Sequence, residues 1–96
     1  VPSHCKQSYH MYYLLLPNHN LQKKFINYLS KLQIKAITHY QPLHTSPFVK
    51  KMSAYKDDYC PVTTDVSKRI VRLPLFYNMT GKQHSKVLND IDGFDC

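Results

Sequence analysis

The sequence predicts a single small α+β domain in which a short sheet packs against helices, and three stretches carry that expectation. Residues Tyr9 to Leu16 (YHMYYLLL) combine aromatic and bulky aliphatic side chains and stop at Pro17, the composition of a buried strand. Directly behind them Leu21, Phe25, Tyr28, Leu29 and Leu32 recur at helical spacing with lysines and polar residues between, the pattern of an amphipathic helix. Near the other end, Thr80 and Gln83 stand at capping-box spacing ahead of Val87, Leu88, Ile91 and Phe94. With 96 residues, 43% of them hydrophobic, the chain has the composition of one packed unit and no room for a second core.

In chain order, the first strand is expected over Tyr9 to Leu16, and Asn20 is placed to cap the helix that follows. Burying that helix's stripe is worth about 1.5–3 kcal/mol per large side chain before conformational entropy is charged. A sheet would therefore hold a helix that is marginal alone. Ile34 to Tyr40 (IKAITHY) carries β-branched residues and ends at Gln41-Pro42, which predicts a second strand beside the first. From Pro42 to Pro61 the period is lost, and a loop with one short helix is expected. Thr64 or Asp65 is placed to cap a further short helix with Val66, Ile70 and Leu73 on one face, ended by Pro74 and followed by an extended Leu75-Phe76-Tyr77. The last helix runs from the Thr80 cap toward Gly93.

Composition removes several function classes. The two glycines, Gly81 and Gly93, cannot build a glycine-rich phosphate cradle of either the P-loop or the dinucleotide kind. The three cysteines, Cys5, Cys60 and Cys96, are far apart and odd in number, which predicts reduced thiols in a cytoplasmic protein. No apolar run approaches the roughly 20 residues of a membrane span, and the opening VPSHCKQ lacks the order of a signal peptide. The start at Val1, without a methionine and with a strand signal almost at once, leads us to expect a larger protein upstream. A net charge of +7 draws anions, whether nucleic acid, anionic lipid or a nucleotide diphosphate, without choosing among them.

The first candidate site is His39-Tyr40-Gln41-Pro42-Leu43-His44, where an expected strand ends and a proline turns the chain. Two histidines five apart could bind metal, act as acid and base, or bond phosphate; equally, one could cap a backbone group while the tyrosine packs. A zinc site from His39, His44, Cys60 and His10 lacks any close ligand pair. Cys60 precedes Pro61 with no histidine base placed beside it by the sequence, so a buried or idle thiol is expected. Basic residues at Lys23-Lys24, Lys50-Lys51 and Lys68-Arg69-Arg72 raise the alternative of a free-standing nucleotide- or nucleic-acid-binding module, but neither the aromatic pattern of an RNA-recognition strand nor a GXXG loop is present.

Taken together, His10-Met11-Tyr12-Tyr13, then HYQPLH at 39–44, then RIVRLPLFYNMT at 69–80 form an ordered series. It resembles the sugar aminotransferases of the DegT/DnrJ/EryC1/StrS family over nearly all of the chain, and within the family the enzymes that aminate dTDP-4-keto-6-deoxyglucose for surface polysaccharides. The chain departs from relatives in having no glycine between Phe48 and Tyr59 and in carrying Lys68 where an acidic residue is common. The resemblance implies the small C-terminal domain of an aspartate-aminotransferase-like, fold type I enzyme. It further implies pyridoxal phosphate as cofactor and glutamate as amino donor. A nucleotide-linked 4-keto-6-deoxy sugar would be the acceptor, and a homodimer the working form. The Schiff-base lysine and the groups that hold the cofactor would lie upstream on a large domain, so this chain contributes no catalytic residue. His39, Tyr40 and His44 would form a substrate-side wall, with Tyr40 and one histidine touching substrate and the other histidine serving structure.

Overall fold

A computed structural model describes residues 1–52 and 60–95. In chain order the elements are strand β1 (Tyr12–Leu15), helix α1 (His19–Lys31), a 3-10 turn (Leu43–Thr45), helices α2 (Pro47–Met52) and α3 (Pro61–Ser67), strand β2 (Ile70–Leu73) and helix α4 (Gly81–Asp92). The architecture is α+β: one two-stranded antiparallel sheet with helices around it. The irregular stretch expected after Pro42 resolves into the 3-10 turn and α2, and its later part, 53–59, lies outside the described residues.

The strands pair with Tyr12 opposite Leu73, Tyr13 opposite Arg72, Leu14 opposite Val71 and Leu15 opposite Ile70. Because side chains alternate across a strand, the register sorts them onto two faces. Leu14, Val71 and Leu73 face the core formed with Phe25 and Leu29 of α1, Val87 of α4, and Leu16, Ile34 and Ala36. Tyr13, Leu15, Ile70 and Arg72 lie on the opposite face. Phe94 closes the end of the core, edge-on to Phe25 with ring centroids 4.9 Å apart.

Helix α1 begins two residues earlier than the sequence predicts. The Asn18 side chain, not that of Asn20, accepts from the Leu21 amide at 2.9 Å. At its far end the Gln33 amide donates to the Ser30 carbonyl and the Ile34 amide to the Leu29 carbonyl, with Gln33 left-handed at φ 61°. That pair of bonds is a Schellman cap, usually built on glycine. It explains a correction: Ile34 to Tyr40 is not a strand. Ile34 is consumed as the apolar partner that follows the cap, and the Ala36 amide turns back to the Ile34 carbonyl at 3.1 Å. Among the described residues the segment's backbone then pairs with the sheet at the isolated bridge between Ile37 and Arg72. Helix termination here overrides β propensity.

The strand partner of β1 lies instead in the stretch expected to be helical to Pro74. Helix α3 opens at Pro61, a residue preorganised for a first helical position, with Cys60 rather than Thr64 or Asp65 at the cap. It closes when the Lys68 and Arg69 amides donate to Asp65 and Val66. Ile70-Val71-Arg72-Leu73 is then extended and paired. The spacing of Val66, Ile70 and Leu73 mimics one helical face, but the β-branched pair in its middle follows the partner strand. The expected extended run after Pro74 ends in a turn in which Asn78 takes φ 66° and the Met79 amide donates to Phe76. Helix α4 carries the capping box as expected: Thr80 Oγ1 accepts from the Gln83 amide, and Gln83 Oε1 accepts from the Thr80 amide.

One buried contact was not signalled by periodicity. Gln22, 1% exposed, sits in the α1 face with Phe25 and Leu29. Its Nε2 donates to the Ile70 carbonyl at 2.7 Å and the Ser67 carbonyl at 3.2 Å, while its Oε1 accepts from His19 Nδ1 at 2.9 Å. His19 Nδ1 also lies 3.2 Å from the Lys68 carbonyl, and two acceptors at one ring nitrogen place the hydrogen there. Helix α1 is thereby bolted to the α3–β2 connection.

Candidate functional site

The chain leaving the Ile37 bridge passes beside α3, and the space between them is a cleft of about 380 Å³. One wall is the run His39, Tyr40, Gln41 and Pro42; the other is the face of α3 that carries Val62, Thr63, Val66 and Ser67, with Ile70 of β2 at its base. Those α3 positions are neighbours because residues three and four apart share one side of a helix.

The first wall is braced by its own turn. The Thr45 amide and hydroxyl both donate to the Pro42 carbonyl at 3.0 and 2.9 Å, and Gln41 Nε2 donates to the Thr45 carbonyl at 3.3 Å. Ser46 Oγ accepts from the Val49 amide and opens α2. His44, at the centre of the 3-10 turn, shares a 2.8 Å hydrogen bond between its Nε2 and Thr64 Oγ1 of α3. That bond spans the cleft's two supporting elements.

The three candidate residues therefore separate. His39 and Tyr40 both line the cleft, their rings tilted at 59° with centroids 5.1 Å apart. Tyr40 is 78% exposed, so its phenol is open to a partner. His44 lies behind the wall, engaged with Thr64. The sequence reading missed Thr64 as a brace, the α3 face as the second wall, and Arg72, whose guanidinium carbon stands 5.9 Å from the Tyr40 ring centroid. The signal for Arg72 was available only in the register: Ile37 bridges it, and that brings the chain carrying Tyr40 alongside.

Among the described residues the lining contains no lysine and no carboxylate. Pyridoxal phosphate requires an amine for its Schiff base and is served by an acid at its ring nitrogen, so these residues do not fit that cofactor as its holders. Among the described residues no three His, Cys, Asp or Glu side chains come together to ligate a metal, and no helix is long and apolar enough to cross a membrane.

Comparison with known proteins agrees with the residue series at 10–13, 39–44 and 69–80. The model of the DegT/DnrJ/EryC1/StrS aminotransferase family matches residues 1–92. An uncharacterised protein of Methanocaldococcus jannaschii is 33% identical over 94 residues, a match that takes in 95% of this chain and 24% of that protein. The chain thus spans about a quarter of the length of this relative.

Proposed function

Because this chain belongs to the DegT/DnrJ/EryC1/StrS aminotransferase family, we propose that it is the small C-terminal domain of a pyridoxal-phosphate-dependent sugar aminotransferase of fold type I. The intact enzyme moves an amino group from glutamate to a nucleotide-linked 4-keto-6-deoxy sugar, as a cytoplasmic homodimer serving surface-polysaccharide synthesis. Among the described residues the cleft lining offers neither an amine nor an acid, which supports placing cofactor chemistry on a large domain elsewhere in the enzyme. What remains for this chain is to hold substrate.

The observation that carries this reading is the pairing of His39 and Tyr40 on one wall of a cleft whose opposite wall is largely apolar. A phenol and an imidazole both donate hydrogen bonds to sugar hydroxyls or phosphate oxygens, while Val62 and Val66 offer surface for a deoxy sugar's methyl or for a base. His44 takes the structural role, since its bond to Thr64 holds the wall against α3. It is a positioning residue.

In the protein expressed from its complete coding sequence, Tyr40→Phe and His39→Ala each raise the KM for the nucleotide sugar about 3- to 10-fold and leave that for glutamate within twofold, the value of one neutral hydrogen bond. Steady-state kinetics with each substrate varied in turn reads this directly. Unchanged constants for both substrates overturn the assignment of the wall.

A further inference from the structure

We infer that Arg72, beside the Tyr40 ring that lines the cleft, is the anchor for the diphosphate of a nucleotide-linked substrate. This rests on the reading of the cleft as a substrate site.

The chain has two arginines, and they are in opposite situations. Arg69 is spent: its Nε and Nη2 donate to Asp65 Oδ2 at 3.0 and 2.6 Å, and its Nη1 reaches the Leu16 carbonyl. Arg72 has no carboxylate and no hydrogen-bond acceptor for its guanidinium among the described residues, although its side chain is half-buried on the sheet. Its neighbours on that face are Tyr13 opposite, Ile37 across the bridge and Ile70 two residues earlier, which also forms the base of the cleft. A permanent cation among apolar side chains is costly unless something negative pairs with it. The packing leaves it directed at Tyr40 rather than at a protein acid.

The arrangement also says what kind of anion fits. The Tyr40 ring has the Arg72 guanidinium carbon 5.9 Å from its centroid and the His39 ring centroid 5.1 Å away. A guanidinium held over an aromatic face by a cation–π contact has N–H donors left for an anion, and its fork geometry takes two phosphate oxygens at once. A single carboxylate is too short to satisfy all three groups at once. A diphosphate, with acceptors strung along its length, engages all three and leaves the sugar or the base facing Val62 and Val66.

The test needs no substitution to begin with. Phenylglyoxal modifies exposed arginines, and peptide mass spectrometry of the intact protein reads Arg72 and Arg69 separately. Thymidine 5′-diphosphate and inorganic pyrophosphate slow modification of Arg72 at least fivefold; thymidine does not, and Arg69 is unaffected. Calorimetry then gives about a 10- to 100-fold loss of thymidine diphosphate affinity in Arg72→Gln and a smaller loss in Arg72→Lys, as expected for charge-assisted bonds whose fork geometry matters. Unaltered Arg72 modification under saturating diphosphate overturns the proposal, and so does protection by glutamate alone, which would put a carboxylate there. None of these readouts needs amino transfer. Failure of the aminotransferase reading therefore shows in the kinetics, and failure of the Arg72 assignment shows in the binding.

Discussion

At the scale of single residues the most informative side chain is one that the hydrophobic pattern hides. Gln22 falls between Leu21 and Lys23 in sequence and carries no apolar signal, yet it is buried and fully bonded. A buried amide is tolerable because every group finds a partner; an apolar isostere would fill the space and orphan the Ile70 carbonyl. Gln22→Leu accordingly destabilises by about 1–3 kcal/mol, the cost of a buried acceptor left without a donor, and urea denaturation of the wild type and variant measures it. Gln33 was equally illegible, since glycine is the residue that announces a Schellman cap and this helix closes without one. Tyr40 stood out in the sequence because it sits where an expected strand ends at a proline turn, and the fold puts its ring on the cleft wall. Its partner Arg72 did not stand out, because 32 positions separate them in the chain.

Elements were readable where a cap or a sharp boundary accompanied the periodicity. The Thr80–Gln83 box marks the start of α4 without ambiguity, and the stripe behind it puts Val87 in the core while Ile91 and Phe94 pack against it. Thr80→Ala removes the acceptor for the Gln83 amide and the hydroxyl's own bond to Gln83 Oε1, while the backbone amide at position 80 keeps its bond to that oxygen. A loss of about 1 kcal/mol is expected, seen as a lowered Tm, with Thr80→Ser retaining most of the stability. Strands fared worse, since short apolar runs fit either period. Ile70 to Leu73 has β-branched residues at a spacing that also suits a helix, and only pairing with Tyr12–Leu15 decides between them. Ile34 to Tyr40 has the better strand composition but is bent away by the closure of α1. The exchange matters for the site: β2 in the sheet places Ile70 in the cleft base and Arg72 beside Tyr40.

For the whole molecule, the two faces of the sheet are unequal. On the inner face Leu14, Val71 and Leu73 pack into the core with α1 and α4 while Tyr12 at its end is 53% exposed, whereas Tyr13, Leu15 and Ile37 on the other face are 49%, 46% and 43% exposed around Arg72. A radius of gyration of 16.2 Å also exceeds the roughly 12–13 Å of a close-packed domain of this length. Contiguous apolar surface on a sheet marks an interaction face, and on the proposed reading the large domain of the same enzyme covers it. The 96 residues produced by themselves therefore have this face in water. They associate as concentration rises, which sedimentation velocity detects as a growing weight-average mass, and they bind a hydrophobic dye. Leu15→Lys places a charge at the centre of the exposed patch without entering the core, because its register partner Ile70 and not Val71 shares its face. That variant stays monomeric over the same concentrations with its helical signal unchanged. If the wild-type chain alone is already a monomer at high concentration and ignores the dye, the outer face of the sheet is not a covered surface, and the large domain docks elsewhere.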